Sequence, residues 1–249
     1  DKLGEFKALG INRPTFGIQS FNTLLLQLRN RKHNPTDSAR AVYLTNALGF
    51  ANFGVDLIFG LPKQTTSMLS DDLDAIVELD PPHVSYYQLT VEPETTLADR
   101  VARGSLVMPD PDLSLAMYRG GCARLADAGY ERYEVSSFAK PGFACKHNQS
   151  YWDGSDYLGL GPSAHSFMHG QRFANCPDVL EYVRMLSDGK RPTVADISGA
   201  DERMVEAIML GLRTTRGIDR HQFAVRFGRV VEDRIDLRQY EMFLKSGHV

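Results

Sequence analysis

Residues 53–59 read FGVDLIF, and the fold turns on how that run is taken. It is apolar throughout except for Gly54 and Asp56, the pattern of a strand covered on both faces rather than one half exposed. Its surroundings repeat the theme. Residues 13–18 (RPTFGI) alternate and are rich in β-formers, with Gln19 at the carboxyl end, and residues 83–89 (HVSYYQL) make a third such run. Between them lie segments of helical period with start and stop signals. Asn22 precedes Leu24, Leu25 and Leu28; Pro35 and Thr36 open a helix stopped at Gly49. Thr66 or Ser67 caps a helix through Leu79, and Thr95 or Thr96 opens one stopped at Gly104. The order β, α, β, α, β, α with short connections predicts parallel strands wound right-handedly, an α/β fold.

Parallel α/β folds bind ligands at the carboxyl ends of their strands. Gln19, Asp56, Gln88 and Thr90 fall there. A carboxylate inside VDLIF is the sharpest signal in this half, because burying it unpaired costs several kcal/mol. It calls for a charged or hydroxyl-bearing neighbour. Two readings are open at this point: a structural pair with an arginine such as Arg31, or contact with a ligand.

After Gly104 the pattern changes. Pro109 and Pro111 mark a linker, residues 112–128 read as one long helix ended by Gly129, and residues 130–136 are strand-like. Residues 145–167, CKHNQSYWDGSDYLGLGPSAHSF, carry the only tryptophan together with tyrosines, two histidines and helix-breaking glycines. Such a loop suits a flat ligand; equally, Trp152 and the tyrosines plug a core beneath a turn. Pro177 opens a helix to Ser187, and from Ser198 the chain reads as helical over 200–212, 219–227 and 231–245. Residues 218–245 have the outline of a helix-turn-helix around Gly228. Acidic residues interleave its arginines, so a winged-helix-like packing module fits better than a nucleic-acid reader. The expected domains are 1–105, 106–175 and 176–249.

Bulk properties set bounds. The chain has 249 residues, a hydrophobic content of 43%, a charged content of 24% and a net charge of −3. These values fit an ordinary globular protein with a sizeable core and give no electrostatic footprint for nucleic acid or an anionic membrane. No apolar run has membrane-spanning length, and no signal pattern opens the chain. Three scattered cysteines, Cys122, Cys145 and Cys176, argue against a disulfide framework and fit a reducing cytoplasm. With no closely spaced pair, they also argue against an iron–sulfur or zinc site built from this chain alone. The opening at Asp1 and the stop at Val249 have the look of a piece of a longer protein.

Several strings then line up in order: GIQSFN, RNRKHN, VDLIFGLPKQT, YQLTVEPETTLA, YERYEVSSFAKPG, HNQSYWDGSDYLGLGPSAHS and DERMVEAIMLGLR. Together they resemble the radical S-adenosylmethionine (SAM) family of oxygen-independent coproporphyrinogen III oxidases, and most closely its haem-chaperone branch. The resemblance runs from about residue 5 to residue 228. It implies the last three βα units of a partial (β/α)6 barrel followed by a mostly helical C-terminal region. The family also implies a [4Fe–4S] cluster on a CxxxCxxC loop, and this chain has no such loop.

By matching position, the resemblance makes Gln19, Arg31, Asp56 and Thr90 the SAM-contacting residues. HNQSYW matches the HNxxYW motif of the haem-chaperone branch. This implies His147 as an axial ligand of haem iron, Asn148 as the partner of its ring, and Tyr151 and Trp152 as stacking surfaces. His165 is the weaker alternative ligand, against a core histidine bonded to backbone. The implied function is a cytoplasmic haem chaperone that, when complete, binds haem, SAM and the cluster. It would pass haem to recipient proteins, membrane-associated ones among them, with no role for nucleic acid. The alternatives are a true coproporphyrinogen III dehydrogenase and a non-catalytic remnant. With its upstream strands missing, residues 13–18 are expected to form an unprotected sheet edge that favours self-association.

Overall fold

The computed structural model describes residues 2–195 and 199–246. Two compact units divide the chain, Asp1–Cys145 and Lys146–Val249.

The first unit begins with a short helix, α1 (Lys2–Ala8), and then follows the sequence expectation: β1 (Thr15–Gln19), α2 (Thr23–Leu28), α3 (Pro35–Ala47), β2 (Gly54–Phe59), α4 (Thr66–Leu79), β3 (His83–Gln88) and α5 (Thr96–Ala102). The starts are set by side-chain caps. Asn22 accepts from the backbone N–H of Leu24 and Leu25, Asn34 and Asp37 form a reciprocal capping box, and Thr65 accepts from Met68. The GLPKQT turn after β2 is closed by Gln64, whose buried amide accepts from Leu61 N and donates to the Ile58 carbonyl. β1, β2 and β3 pair in parallel, as the winding requires.

The long helix α6 (Pro111–Asp127) leads into a hairpin of β4 (Glu131–Glu134) and β5 (Ser137–Ala139). The sequence reading gave one strand there. β5 pairs antiparallel with β3, so the sheet runs β1-β2-β3-β5-β4 with β1 at one edge. Alternation along the strands sorts the faces. Ile18, Val55, Leu57, Phe59, Val84, Tyr86 and Phe138 form one buried apolar core with residues of α3, α4 and α6. The opposite face carries Gly17, Asp56, Ser85 and Tyr87 instead.

α6 lies close on the sheet at one point. A Cβ on Gly121 would stand 2.3 Å from the ring of Tyr86, which is fully buried and donates its hydroxyl to the Met117 carbonyl. In an exposed helix Gly→Ala stabilises by about 1 kcal/mol. Here overpacking should win: Gly121→Ala is expected to lower the unfolding free energy by about 2 kcal/mol in a urea titration.

At the amino ends of the strands His83 is buried, with Nε2 2.8 Å from the Tyr133 hydroxyl. Burial first, and then the charge of Arg13, hold its imidazole down to about 3 from 6.5. The unfolded chain therefore binds a proton between those values that the folded one refuses. The stability this ring supports is complete above pH 6.5 and is lost as pH falls toward 3. Replacing His83 by Gln should flatten acid destabilisation, measured as the midpoint of urea unfolding at pH 7 against pH 4.5.

The second unit comprises α7 (Lys146–Asp153), β6 (His165–Met168), β7 (Gln171–Asn175), α8 (Val179–Ser187), β8 (Thr193–Ala195), α9 (Ala200–Arg213), α10 (Arg220–Phe227), a 3-10 turn (Val231–Arg234) and α11 (Leu237–Lys245). β6, β7 and β8 form an antiparallel sheet that the sequence reading missed. The single helix expected over 231–245 is broken. Asp236 accepts from the N–H of Arg238 and Gln239 and starts α11 afresh. Ser198, where the sequence reading begins the helical region, lies outside the described residues. Met204, Ile208, Phe223 and Val231 form the core of this part.

Candidate functional site

Gln19 ends β1 in the left-handed region, at φ 71, where the register with β2 slips. His33 faces the Ile18 carbonyl there, with Nε2 3.1 Å away. The bulge lets two successive residues, Ile18 and Gln19, both be buried. Gly17 makes room for this. A Cβ on it would lie 2.7 Å from Gln19 Nε2 and 4.0 Å from an Arg31 guanidinium nitrogen, so both side chains run across the polar face.

Asp56 sits half-buried on that same face, opposite Ser85 in the β2–β3 register. Burial pushes its carboxyl up from the ordinary value, against a hydrogen bond from Ser85 and the charges of Arg13 and Arg31. A hydroxyl partner is thus present, and among the described residues Asp56 is in no ion pair with Arg31. Tyr87, two residues beyond Ser85, donates its hydroxyl to Gln19 Oε1 at 3.4 Å. Its own proton is held more tightly by burial and by Asp56. Arg29 is half-buried, its proton loosened by burial and by Arg31.

The structure therefore brings together Gln19, Arg31 and Asp56, and adds Ser85, Tyr87 and Arg29. Thr90 is exposed past the end of β3. Ser85 and Tyr87 were legible in principle, since the i, i+2 spacing in HVSYYQ puts them on one face with a neighbouring carboxylate. Chemically, the patch offers two guanidinium forks, a carboxylate, an amide and a phenol within one strand-end surface. It can grip a carboxylate and accept from hydroxyl or ammonium groups.

In the second unit the HNQSYW string forms α7. His147 is exposed on it, and Nε2 is 2.9 Å from the hydroxyl of Tyr151, one helical turn on. The partner of the ring is Tyr151; Asn148 lies half-buried beside it. Tyr151 meets Tyr157 edge-on at 4.6 Å, and Tyr157 bridges to Phe167 through paired backbone bonds. Trp152 is half-buried, with one face covered by the Arg213 guanidinium at 4.7 Å. His165 is exposed at the start of β6, so it is no core histidine. Beside α7 opens a cleft of about 510 Å³, lined by Tyr151, Trp152 and Tyr157 and by residues of α9 and α10.

Residues 200–247 match the HemN C-terminal domain. The chain is 33% identical over 234 residues to "Heme chaperone HemW" of Bacillus subtilis, covering 93% of this chain and 62% of that protein. To "Heme chaperone HemW" of Escherichia coli it is 41% identical over 165 residues, 66% of this chain and 43% of that one. Over most of its length the chain is similar to HemW proteins, and at its C-terminal end to the HemN family. It spans 43% to 62% of the length of these HemW relatives. A mouse relative, "Radical S-adenosyl methionine domain-containing protein 1, mitochondrial", is 37% identical over 228 residues, 87% of this chain and 51% of that protein. The solved coproporphyrinogen III oxidase HemN of E. coli superposes with a TM-score of 0.77 at 22% identity, covering 94% of this chain and 56% of that one, a likeness of fold.

The radical SAM chemistry of the family needs a [4Fe–4S] cluster, and the residues here do not fit one. Cys145 is buried, Cys122 and Cys176 are half-buried, and no three His, Cys, Asp or Glu side chains among the described residues group as a metal site. No helix of the described residues is long and apolar enough to cross a membrane.

If Asp56 is kept for a ligand at a cost to the fold, removing its charge should help stability. Its raised folded pKa means that the ionised form weakens the fold, and more so as pH rises. Asp56→Asn is expected to melt at the same temperature as wild type or higher at pH 7.5, by differential scanning calorimetry.

Proposed function

We propose that this chain carries the haem-binding segment and the SAM-facing strand ends of a HemW-type haem chaperone. The observation that carries the reading is the exposed His147 imidazole on α7, held at one nitrogen by Tyr151. An imidazole at the surface, oriented by a hydroxyl and flanked by aromatic rings, has what an axial ligand needs: a lone pair within reach and a fixed ring plane. Tyr151 must release Nε2 if iron binds there, or else it fixes the tautomer that offers Nδ1. Asn148 and Trp152 complete the segment.

On the first unit Gln19, Arg31 and Asp56, joined by Tyr87 and Arg29, suit the amino-acid and ribose groups of SAM, with Thr90 at the rim. The arginines hold the carboxylate in a fork, and Asp56 accepts from hydroxyls. No cluster chemistry is assigned to the residues present. In the complete protein, haem bound at His147 would be passed to recipient proteins in the cytoplasm, membrane-bound ones included.

Haem titrated into the polypeptide should give a Soret band saturating at one equivalent. His147→Ala is expected to weaken binding about tenfold or more, the loss of one coordinate bond. Tyr151→Phe should shift the band without abolishing it. A band indifferent to His147, or none, would contradict the reading.

A further inference from the structure

The cleft beside α7 has an unbalanced set of polar groups. Three carboxylates line it, and each is already engaged: Glu206 with Arg172 at 2.5 Å, Asp153 with Ser155, and Asp219 as the N-cap of α10. Of the lining arginines, Arg172 is used in that pair and Arg203 donates to the Gly170 carbonyl. Arg216 and Arg226 have no carboxylate partner among the described residues. The Nε1–H of Trp152 is buried with no acceptor. Among the charged side chains that line the cleft, the two left without a carboxylate partner or a hydrogen bond among the described residues, Arg216 and Arg226, are both donors. Arg216 and Arg226 are exposed and solvated, so their guanidinium groups are within reach of a ligand that accepts.

Geometry places these donors beside the aromatic surface. Arg226 lies against Gly154 at the end of α7; a Cβ there would stand 2.7 Å from its guanidinium. Tyr151, Tyr157 and Phe167 supply flat apolar walls, and the volume of about 510 Å³ is that of a small-molecule site. Resting on the haem-binding reading above, we infer that this cleft takes the carboxylate-bearing edge of the porphyrin, with the exposed Arg216 and Arg226 gripping its carboxylates and Trp152 lining the wall. Guanidinium forks match carboxylates in two parallel hydrogen bonds, which a point charge cannot do.

Trp152 is the only tryptophan of the chain, so its fluorescence reports on this cleft alone. The probe is mesoporphyrin IX, which carries the two carboxylates and no metal and so cannot use an axial ligand. It should quench Trp152 saturably in wild type. Its dimethyl ester, and the Arg216→Gln/Arg226→Gln variant with the free acid, should each bind about tenfold more weakly. Because the ester comparison uses unaltered protein, a misfolded variant does not spoil it. Quenching equal for acid and ester, or no quenching, overturns the inference. A haem Soret band that still depends on His147 would then leave the chaperone reading standing. Conversely, carboxylate-dependent quenching without a His147-dependent Soret band keeps the cleft as an anionic-ligand site and removes the axial ligand.

Discussion

Asp56 is a carboxylate in the middle of a parallel strand, and the first unit is built around accommodating it. The sheet has one face wholly given to packing, where Val55, Leu57, Phe59, Val84 and Tyr86 sit in a single core. That core supports a second face that is poorly optimised for stability. Asp56 has Ser85 and nearby arginines but is held above its ordinary pKa by burial. Tyr87, Gln19 and Arg29 crowd the same surface. The ligand proposed for the strand ends would account for polar groups placed there, since natural sequences break packing rules mainly at functional sites.

The second unit uses a different device. A helix of eight residues, α7, displays imidazole, phenol and indole in adjacent turns. Each of the three is left with unspent capacity: His147 is exposed, Tyr151 is shared between the ring and the cleft, and Trp152 has a donor without an acceptor. Packing alone would have no use for that arrangement. Glu206 is paired with Arg172, and around the cleft four arginines stand against three carboxylates in a chain whose net charge is −3.

Much of the first unit was legible in the sequence because its signals are local. The cap at Asn22, the apolar run at 53–59 and the short connections fix a parallel winding with little ambiguity, although α4 is capped by Thr65 rather than by the expected Thr66 or Ser67. Asp56 was legible for the same reason, as a charge where none belongs. Its neighbours were legible only in part: the i, i+2 spacing puts Ser85 and Tyr87 on one face, but it takes the β2–β3 register to set that face beside Asp56. The sheet of the second unit escaped notice because glycines around residues 154–161 obscure its strands. The two-residue turn His169–Gly170, both at positive φ, is a hairpin signal lying in plain view. The clamp on His147 is an i, i+4 pair on a helix, legible only once the segment is known to be helical; it was read as a loop. The unbalanced cleft depends on which arginines are already paired, and no sequence states that.

The account stands on the claim that haem is held by α7 and its cleft. Hydrogen-exchange mass spectrometry of the chain with and without haem tests it most directly. The account predicts slowed exchange in peptides from Lys146–Asp153 and Arg220–Phe227, with no change in those from Gly54–Phe59 and His83–Gln88. Protection in the strand peptides with none in α7 would contradict it.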